Sequence, residues 1–175
     1  MVDRLILVGM MGVGKTTVGR LLAQRLGWRY VDSDSQVMQE TGRTIPEIFA
    51  EQGEDAFRAE ETRVLADALT SDDNVVVSAA GGVVLSEANR ALLQASGTVV
   101  WLRADPRVLA GRVGTGDGRP LLGEDPASAL VELYDVRRPL YASVTDLSVD
   151  VDALTPGEVA DRILSHAGLG PGARQ

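Results

Sequence analysis

The sequence predicts an α/β fold, a three-layer α/β/α sandwich built around a five-stranded parallel sheet. Short apolar runs alternate with longer helix-like stretches along its 175 residues, and this alternation is typical of parallel strands joined by crossover helices. The first apolar run leads directly into a glycine-rich loop and then into a helical pattern. A chain of this length fits one domain with its own core. We therefore expect a single domain over residues 1–167 and a flexible Gly/Pro-rich tail over residues 168–175.

Five short runs are the predicted strands, and all except Arg-Tyr-Val-Asp at residues 29–32 are mostly apolar. Each run is too short for a stable helix and is bounded by glycine, charged or turn-forming residues. In chain order they are Leu5–Val8, Arg29–Asp32, Val75–Val77, Thr98–Leu102 and Leu147–Val151.

The predicted helices fill the gaps between these strands. Gly27 marks the end of the first helix as a C-cap, and Thr44 with Glu47 fits a capping box. In the longest helix, Phe57, Val64 and Ala68 share one face with Leu69 and are expected in the core. The helical segments are Thr16–Leu26, Ser35–Glu40, Thr44–Gln52, Glu54–Leu69, Glu87–Leu93, Asp105–Arg112, Ala127–Ala142 and Pro156–His166.

The composition limits the kind of partner and the kind of chemistry. A net charge of −8 argues against a nucleic acid or an anionic membrane as the main partner. The chain has no cysteine, and its one histidine, His166, lies in the last predicted helix, so a catalytic base would have to be a carboxylate. No apolar run is long enough for a membrane span and no signal peptide is evident. We expect a cytoplasmic monomer.

A phosphate-binding loop is the strongest functional motif. Gly9–Thr16 matches the pattern G-x-x-x-x-G-K-[ST], between a predicted strand and a predicted helix. Among the 17 lysines and arginines, Lys15 is the only lysine, and its compact charge suits contact with the β- and γ-phosphates. The Thr16 hydroxyl would bind Mg²⁺. We expect a nucleoside triphosphate with Mg²⁺, and its phosphates would lie against Gly12, Val13, Gly14, Lys15, Thr16 and Thr17.

The rest of the chain favours a small kinase over other phosphate-loop proteins. GTPases read their base with an Asn-Lys-x-Asp segment, and the only lysine already belongs to the phosphate loop. Motor-type ATPases carry an acidic residue after a hydrophobic strand. Here Val75–Val77 leads instead into Ser78-Ala79-Ala80-Gly81-Gly82.

Two aspartates follow the second predicted strand, at the end where open α/β sheets bind ligands. If the chain stays extended, Asp32 and Asp34 point to the same side. Asp32 would hold Mg²⁺ through water, and Asp34 would accept a hydroxyl proton from the phosphoryl acceptor. The alternative interpretation is a turn or helix N-cap, for which Asp-Ser-Asp-Ser is also a good sequence.

A few arginines stand out from the solvent-facing majority. Arg58 borders the buried face of the longest helix, where Glu61 at i+3 is placed to orient its guanidinium. Arg112 begins a loop rich in glycine and aspartate, and Arg119 lies within it. Closure of this loop would carry Arg119 to the phosphates. With Arg137, such arginines suit a carboxylate substrate through bidentate contacts.

The whole pattern resembles the shikimate kinase family. The resemblance covers about residues 4–166, and its pieces occur in family order. They are Gly9–Thr17, Asp32-Ser33-Asp34, Thr41-Gly42-Arg43-Thr44-Ile45, Ile48-Phe49, Phe57-Arg58 with Glu61, Gly81-Gly82, Arg119-Pro120-Leu121-Leu122, and Arg137 with Pro139 and Tyr141.

The resemblance implies transfer of the ATP γ-phosphoryl group to the 3-hydroxyl of shikimate, a step of aromatic amino-acid biosynthesis. It implies that Asp34 binds the ring hydroxyls and is the candidate base. Residues 113–125 would be a lid and residues 33–62 the shikimate-binding segment. The other implied roles are a carboxylate clamp of Arg58 and Arg137, backbone contacts at Gly81 and Gly82, charge stabilisation by Lys15 and Arg119, and adenine contacts at Arg112 and Pro156.

The sequence departs from the family pattern at two places. Ala80 stands where the family usually has a glycine, and its methyl group would crowd the substrate or strain the backbone if that position needs positive φ. Asp152-Ala153-Leu154 replaces a more polar or basic adenine loop, which bears on nucleotide affinity.

Two alternatives stay open at this stage. One is a related small-molecule kinase such as gluconate kinase, against which the arginine clamp and the Asp-x-Asp pair favour a ring acid with neighbouring hydroxyls. The other is a catalytically weak nucleotide-binding regulator that kept the fold. Lys15, Asp34 and Arg119 together argue against it, and Ala80 is the feature in its favour.

Overall fold

The computed structural model describes residues 2–71, 73–113, 122 and 124–170. Its strands are β1 (Arg4–Val8), β2 (Arg29–Asp32), β3 (Val75–Ser78), β4 (Thr98–Arg103) and β5 (Leu147–Asp150). All neighbouring pairs are parallel, and the sheet order is β2-β3-β1-β4-β5. Helices flank the sheet on both faces, which confirms the predicted three-layer α/β architecture.

The centre of the sheet is the most buried part of the molecule. In β1, Leu5, Ile6, Leu7 and Val8 are each 0% exposed. Such runs are apolar on both sides because helices cover both faces of a parallel sheet. The carboxyl ends of β1, β2 and β3 therefore meet at one edge of a rigid, well-packed platform.

The helices agree with the prediction to within a few residues at their ends. They are α1 (Lys15–Leu26), α2 (Ser33–Thr41), α3 (Ile45–Thr70), α4 (Glu87–Ser96), α5 (Pro106–Val113), α6 (Pro126–Val144) and α7 (Pro156–His166). The predicted capping box of Thr44 and Glu47 is present at the start of α3. A 3₁₀ turn at Val83–Leu85 was not predicted, because the apolar run after the two glycines is too short to show helical periodicity.

Gly53 divides α3 into the two segments that the sequence predicted. Its backbone has φ 85° and ψ 174°, a conformation that a residue with a Cβ rarely adopts. After this break the predicted core face is buried, with Phe57 at 5% and Val64 at 1% exposure. The change of direction at Gly53 sets the course of the segment that carries Arg58.

A second, smaller apolar cluster holds α2 against α3. It is formed by Val37, Ile48, Phe57 and Val64. This packing fixes the position of Asp34, in the first turn of α2, relative to Arg58 on α3.

The segment after β2 is helical rather than extended. Asp32 caps α2 by accepting a hydrogen bond from the Ser35 backbone N–H at 3.1 Å, so the alternative N-cap interpretation is the correct description of the local structure. Asp32 and Asp34 are therefore not alternate residues of one extended segment, because the capped helix begins at Ser33. Asp34 nevertheless lines the same cleft as Asp32.

Some predictions fall outside the described residues. These include Arg119, residues 114–121 and 123 of the predicted lid over residues 113–125, and residues 171–175 of the predicted tail. Within the described residues, no helix is both long enough and apolar enough to cross a membrane.

Candidate active site

A cleft of about 410 Å³ opens at the carboxyl ends of β1, β2 and β3. This is the edge at which open α/β sheets bind their ligands. The cleft brings together the phosphate loop, the two predicted aspartates and part of the glycine segment after β3. Its lining includes Gly12, Gly14, Lys15, Thr16, Asp32, Asp34, Ser78, Ala80 and Gly81.

The phosphate loop forms one wall of the cleft. Gly12 and Gly14 have φ of 79° and 104°, in the left-handed region that favours glycine. Gly14 is the N-cap of α1 and supplies no side-chain cap, so the first amides of the helix are available to an anion. Lys15 Nζ donates to the carbonyl oxygens of Gly9 at 2.8 Å and Met10 at 3.0 Å, which holds the ammonium over the loop.

Thr16 and Asp32 form a hydroxyl–carboxylate pair on the floor of the cleft. Thr16 Oγ1 donates to Asp32 Oδ2 at 2.8 Å. Because the proton points at the carboxylate, the lone pairs of the hydroxyl are left for a cation. Mg²⁺ binds hard oxygen ligands and keeps several waters, so it needs few protein ligands, and this donor pair fits it. In the described residues there is no group of three or more acidic, histidine or cysteine side chains placed to hold a metal.

Tyr30 and Ser78 extend this polar chain beneath the phosphate loop. The Tyr30 hydroxyl lies 3.0 Å from Ser78 Oγ and 3.3 Å from Asp32 Oδ2. Ser78 Oγ in turn donates to the Lys15 carbonyl oxygen at 3.0 Å. Burial raises the pKa of Tyr30 above its ordinary value, so its hydroxyl stays protonated at neutral pH. Sequence reasoning missed Tyr30, although the period of two in a strand places it on the same side as Asp32.

Arg58 is held by Glu61 as predicted. Its Nη1 donates to both carboxylate oxygens of Glu61 at 3.1 Å, and its Nη2 donates to Glu54 at 3.1 Å. Glu61 is 1% exposed, and burial raises its pKa, with the neighbouring Arg58 acting in the opposite direction. The nearby charge of Asp34 raises it further, which places this ion pair within electrostatic reach of the cleft.

Gly81 and Gly82 make room for the two predicted clamp arginines. A Cβ on Gly82 would lie 2.2 Å from Arg58 Nη1, and a Cβ on Gly81 would lie 3.2 Å from Arg137 Nη1. Arg137 is only 1% exposed. The glycines therefore bring both guanidinium groups against the backbone beside the cleft, a steric role that the sequence did not reveal.

Tyr141 fixes the backbone of this glycine segment. Its hydroxyl donates to the Gly81 carbonyl oxygen at 2.5 Å, and its ring packs 5.6 Å from that of Trp101. Burial raises the pKa of Tyr141 to about 12, so the hydroxyl remains a donor. The prediction placed Tyr141 only within a motif, and the structure gives it this contact.

Ala80 is accommodated without backbone strain. Among the described residues, no residue other than glycine has positive φ. The Ala80 backbone N–H donates to Ser33 Oγ at 2.9 Å. The concern that this position requires a glycine backbone therefore does not apply here.

The remaining predicted ligands of ATP that lie in the described residues do not line the cleft. Arg112 is next to the phosphate loop, since a Cβ on Gly12 would lie 3.8 Å from its Cβ. Val13 packs into the core and Thr17 is exposed on α1. Pro156 is the first residue of α7 and is outside the lining of the cleft.

Comparison with known proteins gives one consistent answer. A family model described as shikimate kinase matches residues 11–167. A shikimate kinase of Neisseria meningitidis serogroup C is 47% identical over 148 residues, covering 84% of this chain and 86% of the relative. A shikimate kinase from Acinetobacter baumannii, solved in complex with shikimate, superposes with a TM-score of 0.91 at 38% identity, covering 95% of this chain and 93% of that one.

A gluconokinase from Sinorhizobium meliloti superposes with a TM-score of 0.53 at 23% identity, covering 97% of this chain and 93% of that one. At that identity the likeness shows a shared fold alone. The shikimate kinase relatives are far more similar in both sequence and structure. This chain belongs to the shikimate kinase family.

Proposed function

We propose that this chain transfers the γ-phosphoryl group of ATP to the 3-hydroxyl of shikimate, giving shikimate 3-phosphate for aromatic amino-acid biosynthesis. The observation that carries the proposal is the composition of a single cleft. A phosphate loop with Lys15 and Thr16 lies on one side, and Asp34 and Gly81 lie on the other. Donor and acceptor would meet between them, as in-line transfer requires.

The phosphate side supplies positive charge and oriented dipoles. Lys15 and the first amides of α1 would bind the β- and γ-phosphates and stabilise the charge that spreads over the transferred oxygens. Thr16 and Asp32 would hold Mg²⁺, Asp32 through water. Mg²⁺, when bound, neutralises charge on the β- and γ-phosphates. Arg119 would add a second cation, and Gly12, Val13, Gly14 and Thr17 complete the proposed phosphate site.

The acceptor side combines a base with a cationic pair. Asp34 would bind the ring hydroxyls and accept the proton of the attacking hydroxyl. Arg58 and Arg137 would bind the carboxylate of shikimate, and Gly81 and Gly82 would contribute backbone contacts. Both guanidinium groups lie against the glycine segment beside the cleft, and planar guanidinium groups suit an anionic ligand with paired oxygens.

The proposal extends to the surroundings of the cleft. Arg112 and Pro156 would flank the adenine, and residues 113–125 would close as a lid that excludes water. Residues 33–62, which include α2 and the start of α3, would form the shikimate-binding segment. We propose that the protein is a monomer. We also propose that it is in the cytoplasm, since the phosphoryl donor ATP is a cytoplasmic metabolite.

A coupled ADP-release assay tests the function directly. Purified protein would be given Mg²⁺ and ATP with shikimate, gluconate or a nucleoside monophosphate in separate reactions. We expect turnover with shikimate alone, and nuclear magnetic resonance of the product should place the phosphate on the 3-oxygen. Turnover with gluconate and none with shikimate would contradict the proposal. Tight ATP binding with no turnover on any acceptor would indicate a regulator.

A further inference from the structure

The Tyr30 hydroxyl connects the carboxylate of Asp32, the proposed metal-binding group, to the neighbouring strand β3. Its hydroxyl lies within hydrogen-bond distance of Asp32 Oδ2, at 3.3 Å, and of Ser78 Oγ, at 3.0 Å. Strands β2 and β3 are paired in register here, with Asp32 opposite Ser78. The tyrosine therefore bridges two strand ends directly beneath the phosphate loop.

The surroundings of Tyr30 form a pocket fitted to its ring. Gly19 lies inside α1, where a glycine is unfavourable for the helix. A Cβ on Gly19 would lie 2.6 Å from Tyr30 Cε2 and 2.7 Å from Ser78 Oγ. The guanidinium carbon of Arg20 lies 5.9 Å from the ring centroid. The absence of a side chain at Gly19 thus lets the tyrosine reach Ser78 and Asp32.

The hydroxyl protons of Thr16, Tyr30 and Ser78 can be arranged in only a few ways. Ser78 donates to the Lys15 carbonyl oxygen at 3.0 Å, and Thr16 donates to Asp32 at 2.8 Å. Tyr30 has one proton, shared between Ser78 Oγ and Asp32 Oδ2 as acceptors. When it donates to Asp32, the same carboxylate oxygen is held from two sides by hydroxyls of two different elements. Phenylalanine keeps the ring and removes this donor.

We propose that Tyr30 is a positioning residue for magnesium binding, whose hydroxyl holds the Asp32 carboxylate in the orientation that receives a metal-bound water. The inference rests on the proposed function, because it takes Thr16 and Asp32 as the metal site. Partners that orient metal-binding groups in proteins typically contribute about 10- to 100-fold to metal affinity. Tyr30 shares Asp32 with Thr16 and Ser35, so we expect its contribution near the lower end of that range.

The test measures how much Mg²⁺ improves nucleotide binding. Calorimetry would give the ADP affinity of the wild type and of Tyr30→Phe, each with excess Mg²⁺ and with EDTA. We expect Tyr30→Phe to lower the Mg²⁺-dependent gain about tenfold and to leave the affinity in EDTA unchanged. The matched control is Tyr134→Phe, because Tyr134 lies on α6 and is outside the lining of the cleft. This control should keep the wild-type gain.

Thermal unfolding of both variants separates positioning from general damage. A gain for Tyr30→Phe within twofold of the wild-type value would overturn the inference. So would an equal loss of ADP affinity with and without Mg²⁺, since that pattern indicates a structural role. If the wild type itself shows no Mg²⁺-dependent gain, the proposed metal site at Thr16 and Asp32 fails, and the role of Tyr30 fails with it.

Discussion

The position of the Arg58 guanidinium depends on the absence of a side chain at Gly82. The variant Gly82→Ala tests this dependence. An added Cβ would lie 2.2 Å from Arg58 Nη1 and 2.6 Å from both Cζ and Nη2. These separations are far below van der Waals contact, so the guanidinium has to move. Gly82 has φ −91°, which alanine adopts freely, so the effect of the substitution comes from displacement of Arg58.

The contacts that Arg58 loses set the size of the effect. Movement of the guanidinium away from the added Cβ would disturb its two hydrogen bonds of 3.1 Å to Glu61, and Glu61 is 1% exposed. A hydrogen bond to a charged group is worth about 1.5–3 kcal/mol. Since Glu54 still offers Arg58 a partner, we expect a loss of stability of about 2 kcal/mol. If Arg58 binds the substrate carboxylate, the same range predicts a rise in the KM for shikimate of about 10- to 100-fold.

Gly170→Ala is the matched control. A Cβ on Gly170 would have no heavy atom within 4 Å, and this glycine is outside the proposed site. We expect less than about a threefold change in the KM for shikimate, which corresponds to under about 1 kcal/mol. Steady-state kinetics with each substrate varied, together with thermal unfolding, measure these effects. A wild-type KM for shikimate in Gly82→Ala would refute the steric argument, and an equal rise in the KM for ATP would refute its assignment to the acceptor side.

Three further predictions concern the phosphate loop, a helix cap and the departure from the family pattern at Ala80. Lysine-selective acylation should label Lys15 as the one internal site, and Mg²⁺ with ATP should slow it in peptide mass spectrometry; equal labelling would contradict the phosphate role. Thr155 donates to Glu158 through its backbone N–H and its hydroxyl at 2.8 Å, which lowers the pKa of Glu158 below 4.5. Because the folded pKa is lowered, this stabilisation exists above pH 4.5 and is lost as pH falls through the folded pKa. Glu158→Gln should therefore lower the melting temperature at pH 7 and match the wild type in strong acid. A melting-temperature difference between variant and wild type that does not depend on pH would exclude a contribution of the Glu158 carboxylate to this cap. Ala80→Gly should keep kcat within about twofold and cost about 0.4–1 kcal/mol in urea unfolding, whereas a large gain in shikimate affinity would show that the methyl group crowds the substrate.

Local patterns made most of the fold predictable. The phosphate loop and the capping box at Thr44 are set by residues close together in sequence, so their geometry follows from the motif. Gly53 separated the two helical segments of α3 because glycine alone easily adopts φ 85°. Of the two arrangements that the sequence left open at Asp32 and Asp34, the structure has the helix N-cap, and both conformations suit the same four residues.

Contacts between distant segments were the part of the site that the sequence did not reveal. Glu61 was correctly assigned to Arg58 because an i+3 spacing on a helix brings side chains together. The fit of Gly82 against Arg58 and of Gly81 against Arg137 depends instead on how α3 and α6 pack against the 3₁₀ turn after β3. The reach of Tyr30 to Ser78 likewise depends on strand pairing and on the space left by Gly19.

The kcat of Asp34→Asn with saturating shikimate and ATP shows whether the cleft uses Asp34 as its base. The substitution keeps the size of the side chain and removes both the base and its charge. General-base catalysis typically contributes about 10²- to 10⁴-fold, so we expect a fall in kcat of that size with ATP affinity changed by less than about threefold. A kcat near that of the wild type would contradict this role, because the cleft would then transfer the phosphoryl group without the base assigned to it.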